Sequence, residues 1–365
     1  MRRTTPLIAV ALLGLSPLAP TSAQAAGETC RGEAATIVGT GPSVTGTEGR
    51  DVIVSGTAGV VDGLGGDDLI CMTNGTTNSN FLTVDAGSGA DVVDATALSP
   101  GYYVSVVLGS GADTFAGGRS SETVYAGERA KLPNGTYTLG ADTDKDTIDT
   151  GEAGDSVSSG TAGSVNQDVV SLGPGDDSVS FGSLQVGSDA SFDGGTGSDR
   201  VRLDAGTTDL TVDMAAGAVS SSAGTARVTA FEGASISAGA SRLTYRGTDA
   251  DEVVDISPTG GTPTLDIATA GGQDGVVVEP ATVGAGSRID GGEGRNGIIA
   301  ANPSGTMSLD IPGKELVVDG VRTTVIGLQD AFLIASDVTM LGDGQDNVLS
   351  FAGCEADLIG GGGKD

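Results

Sequence analysis

Apolar and polar residues alternate in short runs along most of the chain, as in Leu82-Thr83-Val84-Asp85 and Ser178-Val179-Ser180-Phe181. A period of two puts successive side chains on opposite faces of an extended strand, and the Val-rich runs suit a half-buried pleated surface. Beyond Ala25 no stretch sustains helical spacing with capping residues at its ends. The pattern predicts an all-β chain of short strands separated by Gly-bearing turns.

The turns share a motif, Gly-x-Gly-x-Asp followed two residues on by a large apolar side chain. Clear copies are Gly63-Leu64-Gly65-Gly66-Asp67-Asp68-Leu69, Gly87-Ser88-Gly89-Ala90-Asp91-Val92-Val93 and Gly109-Ser110-Gly111-Ala112-Asp113-Thr114-Phe115. Others end on Gly175 and Asp177, on Gly197 and Asp199, and on Gly344 and Asp346, while Asn296 replaces the acid after Gly292-Glu293-Gly294. The interval from Asp67 to Asp91 is 24 and that from Asp91 to Asp113 is 22; Asp155, Asp177 and Asp199 follow at steps of 22. Asp251 to Asp274, the latter with Gly272 before it, is 23, and Asn296 lies 22 further on. These triplets make modules starting near 62, 150, 246 and 341. The last is incomplete at Asp365, which points to a truncated frame or an end that pairs with another molecule. A longer frame holds at an offset of 97, where Val212-Asp213-Met214 meets Leu309-Asp310-Ile311 and Phe231 meets Leu328.

A Gly turn at steps of about 22, flanked by strands, describes one coil of a parallel β-solenoid (β-roll or β-helix). Such a coil cannot bury its apolar face alone, so the repeats need one another. The solenoid is expected over 46–365, behind an N-terminal cap segment at 26–45, with irregular or longer coils between triplets. Coils of this length are expected to keep the Gly-Asp turn mainly on one edge.

Composition gives the turns a chemistry. The 365 residues include 62 Gly and no His or Trp, and 48 acids against 18 bases give a net charge of −30. Asp outnumbers Glu 36 to 12. Without His there is no Ser-His-Asp or Cys-His catalytic set and no His-bearing zinc motif. The charge excludes a nucleic-acid groove, whose affinity comes from Lys and Arg on phosphates. Turn carbonyls and short carboxylates are hard oxygen donors, the set that Ca²⁺ takes at six to eight coordination. Stacked turns lie about 4.8 Å apart, so unneutralised files such as Asp91 above Asp113, or Asp155, Asp177 and Asp199, would repel.

These residues resemble the hemolysin-type (RTX) calcium-binding repeat, Gly-Gly-x-Gly-x-Asp-x-U-x with U large and apolar. Gly194-Gly195-Thr196-Gly197-Ser198-Asp199-Arg200-Val201-Arg202 matches every specified position. The resemblance implies several Ca²⁺ ions held between stacked turns by Gly65, Asp67, Gly89, Asp91, Gly111, Asp113, Asp155, Gly175, Asp177, Gly197, Asp199, Asp251, Gly272, Asp274, Gly344 and Asp346. Pairs at an interval of nine, the family's tandem spacing, occur at Asp113 with Glu122, Asp146 with Asp155, and Asp168 with Asp177.

Positions 1–25 read as an export signal: Arg2-Arg3, an apolar stretch from Leu7 to Leu18, and Ala23-Gln24-Ala25. A secreted, extracellular protein with no transmembrane span is expected. In that compartment Cys30 and Cys71 are disulfide candidates, though three pairings are open, and Cys354 is expected as a buried small hydrophobe. The function expected is a non-enzymatic calcium-binding rod with a structural or adhesive role, whose partners are calcium, a cell surface or other copies of itself. The alternative is an extracellular β-helix enzyme acting on acidic polysaccharide, with Asp199, Arg200 and Arg202 as candidates.

Overall fold

The computed structural model describes residues 27–75, 80–131, 137–140, 143–161, 164–182, 184 and 190–365; positions 1–25, expected to be an export signal, lie outside them. Short strands stack as parallel rungs. Tyr103–Val107 pairs with Phe81–Asp85 on one side and with Ser121–Tyr125 on the other. Val92–Asp94 lies likewise between Leu69–Cys71 and Thr114–Ala116. The chain thus alternates between two facing walls, making the parallel β-solenoid expected from the sequence. Among the described residues no helix is long and apolar enough to cross a membrane.

One wall runs from Ser43–Thr45 to Val348–Ala352. Down its inner face Val84, Val106, Val124, Val157, Val179 and Val201 lie in register on successive rungs, all buried. Each such Val contributes roughly 1.5–3 kcal/mol relative to exposure. The column explains the scarcity of aromatics, since small and branched side chains fill a narrow interior.

The facing wall is built in sections. Its first section ends at Gly224–Thr229, where an antiparallel meander through Ala218–Ser221 leads back to Leu210–Asp213. Leu210–Asp213 starts a second section, continued by Arg242–Arg246, Thr264–Ala268 and Arg288–Asp290. A second meander, Gly297–Asp310, Glu315–Val318 and Val321–Ile326, ends that section in the same way. The repeat at an offset of 97 is therefore a repeated handover between wall sections.

At the N-terminal end Cys30 is disulfide-bonded to Cys71, tying the Thr29–Cys30 and Glu33–Ala34 hairpin to the first rungs. Cys30 packs with Ala35, Val52, Val54 and Leu69 in a small separate core. Cys354 corrects the expectation made for it. It is exposed in the turn between Val348–Ala352 and Glu355–Ile359, on the last described coil, which no further described rung covers.

Glycine sets how closely the turns stack. Gly109 and Gly111 have φ of 105° and 131°, and a Cβ at each would sit 1.7 and 1.8 Å from the carbonyl oxygens of Gly87 and Gly89 one coil below. Gly206 also has positive φ, 51°, but a Cβ there would meet nothing within 4 Å. Gly206→Ala should therefore cost about 1 kcal/mol, from backbone strain alone. Gly109→Ala adds a backbone collision and should cost more than about 2 kcal/mol. Thermal melts of the two variants check this, and equal losses would contradict turns in direct contact.

Candidate functional site: two files of buried acids

The residue before each rung does a job the backbone cannot do for itself. Its N–H reaches a side-chain oxygen of the residue at the same place in the next coil. On one edge Asp51 N–H donates to Asp68 Oδ1 at 2.8 Å, Asp68 to Asp91 at 2.8 Å and Asp91 to Asp113 at 2.8 Å. Asp113 donates to Asp146 at 2.9 Å, and Asp146 to Asp168 at 3.1 Å. On the opposite edge Glu122 donates to Asp155, Asp155 to Asp177, and Asp177 to Asp199, at 2.7 to 2.9 Å. Asp199 donates in turn to Glu232, and after a break, where Glu252 accepts instead from Thr248 and the Tyr245 hydroxyl, the ladder resumes from Glu252 through Asp274, Asn296 and Gln329.

The acids therefore occupy two edges, which corrects the expectation of a mainly one-edged array. Up to Asp113 the Gly-x-Gly-x-Asp turn leads out of the continuous wall; from Asp155 onward it leads back into it. The pairs at an interval of nine mark the crossover. Asp113 with Glu122, Asp146 with Asp155, and Asp168 with Asp177 each place one acid on either edge.

Asp91, Asp113, Asp155, Asp177, Asp199 and Asp274 stand in the files and are buried. Gly89, Gly111, Gly197 and Gly272 turn the chain at positive φ beside them, and Gly175 passes so close to Ala153 that a Cβ would lie 1.7 Å from its carbonyl oxygen. Asp67, Asp251 and Asp346 do not stand in the files. Each is exposed, one residue before the ladder residues Asp68, Glu252 and Asn347. They bond the other way along the rod, accepting the N–H groups of Ala90, Gln273 and Lys364. Gly65 and Gly344 shift with them; the positive-φ positions of the first turn are Leu64 and Gly66.

Motif reading also missed Asp51, Asp68, Glu122, Asp146, Asp168, Glu232 and Glu252 as one system. The signal that finds them is the interval from ladder residue to ladder residue. It is 17 at Asp51–Asp68, 23 at Asp68–Asp91, 22 in the other ordinary coils, and 33 at Asp113–Asp146, Glu122–Asp155, Asp199–Glu232 and Asn296–Gln329. The long segments between triplets are therefore coils half as long again as the ordinary ones.

A ladder carboxyl has two oxygens, and the ladder uses one. At the ends of the first file the other is satisfied locally. Asp51 Oδ2 accepts from Thr47 N–H at 2.7 Å and the Thr47 hydroxyl at 2.8 Å, and Asp168 Oδ2 accepts from the Ser159 hydroxyl at 2.6 Å. Inside the files the second oxygens of Asp68, Asp91, Asp177 and Asp199 are buried without a hydrogen-bond partner. Burial pushes Asp91, Asp177 and Asp199 up to about 7 and Asp68 up to about 6, against the backbone N–H that each accepts. Neighbouring file members add repulsion in the same direction. Glu122, next to Asp155, is raised for the same reason, by burial first.

Asn296 shows what faces that second atom. Its Nδ2 donates to Gly291 O at 2.6 Å and Gly327 O at 3.1 Å. At the offset of 97 the counterparts of Asn296, Gly291 and Gly327 are Asp199, Gly194 and Ala230. Asp199 thus sets a bare carboxylate oxygen where its counterpart sets a donor between two carbonyls. An all-oxygen set of this kind needs a positive charge, supplied by a proton or by a hard cation. Among the described residues no three acidic side chains converge, so a cation here would draw on the carbonyls as well.

Arg200, by contrast, is engaged on the outer face, donating to Ser235 Oγ at 3.0 Å and to the Asp255 carboxylate. Neither the protein-family models nor the curated proteins compared with this chain match it.

The raised carboxyls fix a sign for pH dependence. Between their ordinary value of 3.8 and about 7 the folded chain holds protons that the unfolded chain has released, so stability falls as pH rises through that window. Chelator-treated protein should melt at progressively lower temperature from pH 5 to pH 8. A flat or rising profile would contradict buried carboxyls without a compensating charge.

Proposed function

We propose that this chain is an exported calcium-binding solenoid, of the kind its Gly-Gly-x-Gly-x-Asp turns resemble, in which ion binding is coupled to folding. The observation that carries the reading is the row of buried carboxylate oxygens lacking partners, of which that of Asp199 is the counterpart of the Asn296 amide that donates to two carbonyls. Oxygen-only donors, short carboxylates and a net charge of −30 support a hard divalent cation over a transition metal. Asp68, Asp91, Asp177 and Asp199 are the carboxylates that would hold it, with turn carbonyls completing the set. Bound calcium would neutralise each file and leave its carboxylates ionised at neutral pH.

Because the oxygens converge only when coils are stacked, binding free energy appears as folding free energy. The role that follows is structural: a rod that stiffens outside the cell, where calcium is abundant, and serves adhesion or self-association rather than catalysis. The alternative of an enzyme on acidic polysaccharide gains no support from Asp199, buried in a file, or from Arg200, which is paired, and leaves Arg202 as the one exposed candidate of its three.

Calcium added to chelator-treated protein should raise the melting temperature and the β-sheet circular dichroism cooperatively, with affinities on the order of 10⁻⁴ to 10⁻³ M. No bound calcium at millimolar concentration, together with unchanged stability, would overturn the reading. Asp199→Asn separates the ion from the ladder. The amide keeps the Oδ1 acceptor and brings its own donor, so without calcium the variant should be more stable than the parent by about 1–3 kcal/mol. With saturating calcium that advantage should shrink or reverse, and the number of bound ions should drop.

A further inference from the structure

Among the described residues the two most exposed aromatic side chains lie side by side. Phe81 and Tyr103, each 57% exposed, are register partners on consecutive rungs of the continuous wall. In a chain with 12 aromatic residues, where Phe115, Phe181, Phe192, Phe231 and Tyr245 are buried, this placement stands out. Their backbones are one rung apart, about 4.8 Å. The two side chains form one side of an open groove of about 550 Å³ on the outer face of that wall.

The rest of the groove is polar in an ordered way. Next to the aromatic row runs a row of hydroxyls in register, Ser105, Thr123 and Ser156. Beyond it stands Tyr125, with the Arg129 guanidinium 4.7 Å from its ring centroid. Arg129 marks the start of the Arg129–Lys131 and Tyr137–Leu139 hairpin and lines the groove together with Asp176.

The geometry points to a binding site for a neutral oligosaccharide lying along the rungs. A pyranose ring has an apolar face of C–H groups, which carry partial positive charge and suit the negative face of an aromatic ring. Its rim is hydroxyls, and a Ser or Thr hydroxyl both donates to and accepts from such groups. An aromatic row flanked by a hydroxyl row matches both features in one ligand. The charged groups lining the groove are Arg129, Asp176 and the buried ladder acids Glu122 and Asp155, a set that offers an anionic chain no net positive surface. A lipid or an apolar peptide would leave the hydroxyl row without partners, and the net charge of −30 repels nucleic acid. The aromatic and hydroxyl rows lie on the outer face of the wall and the groove meets the second acid file only at Glu122 and Asp155, so stacking on the two rings does not depend on the calcium reading.

The test is calorimetric titration of the full chain in millimolar calcium with neutral hexasaccharides of glucose, xylose, mannose and N-acetylglucosamine, and with anionic hexagalacturonate. At least one neutral hexasaccharide should bind more tightly than hexagalacturonate. The double variant Phe81→Ala, Tyr103→Ala should weaken that binding tenfold or more. Both side chains are exposed, so its melting temperature should stay within a few degrees of the parent's. Tyr103→Phe should retain most of the affinity. Absence of binding to every neutral probe, preference for hexagalacturonate, or binding unchanged in the double variant would each overturn the assignment.

Discussion

Everything in this molecule depends on coils stacking in register, and one hydrogen bond enforces it. Just ahead of a rung the chain leaves the turn, and the N–H there finds its acceptor in a side chain one coil on. Only a residue with a carbonyl-type oxygen on a short stem can supply it, which is why Asp, Glu, Asn and Gln occupy these positions from Asp51 to Asn347. An unpaired buried N–H is costly, so a coil can lengthen only if the ladder residue returns to its place. The longer coils do this: between Asp199 and Glu232 the extra chain folds out as a meander and comes back in register.

The same bond creates the molecule's main electrostatic problem. A carboxylate used as a register pin is buried at the rung spacing from others like it, half satisfied and stripped of water. Three solutions coexist along the rod. Hydroxyls from Thr47 and Ser159 complete the carboxyls at the ends of the first file. An amide at Asn296 replaces the carboxyl and donates to the carbonyls around it. Asp68, Asp91, Asp177 and Asp199 keep a bare oxygen, and there the architecture demands a positive charge from outside. The need for a compensating proton or cation is thus a consequence of how the fold sets its register.

The sequence made the solenoid legible because strand alternation and a regular turn spacing are both local signals. It placed Asp91, Asp113, Asp155, Asp177, Asp199 and Asp274 in the files; at Asp177, where Asp176 adjoins, the steps of 22 from Asp155 and to Asp199 fix the frame. It misplaced the ladder residue by one at Asp67, Asp251 and Asp346, where two ladder-competent residues adjoin. In Gly65-Gly66-Asp67-Asp68 the glycines are doubled too, and Leu69 and Ile70 are both buried, so the apolar position two residues on cannot choose the frame. The exchange of edges was hidden for a different reason. An interval of nine says that two acids belong to one coil, but which wall a turn enters depends on strand pairing between distant parts of the chain. The handovers at 210–229 and 306–326 are non-local in the same sense: the offset of 97 revealed that something repeats without revealing an antiparallel meander.

The order of the ladder residues gives the rod a direction. The first file runs from Asp51 to Asp168 and the second begins at Glu122, so the acidic stretches of the two edges overlap before the first one ends. Beyond Asp274 the ladder is neutral at Asn296, Gln329 and Asn347 before Asn347 N–H donates to the Asp365 carboxylate. Each coil of a solenoid is stabilised chiefly by its neighbours, so this neutral stretch can hold register at no electrostatic cost, whereas the acidic coils hold it against mutual repulsion. Stability along the rod is therefore uneven before any ion is bound, and neutralising the files would level it. Charge placement, more than core packing, distinguishes one part of this repetitive chain from another.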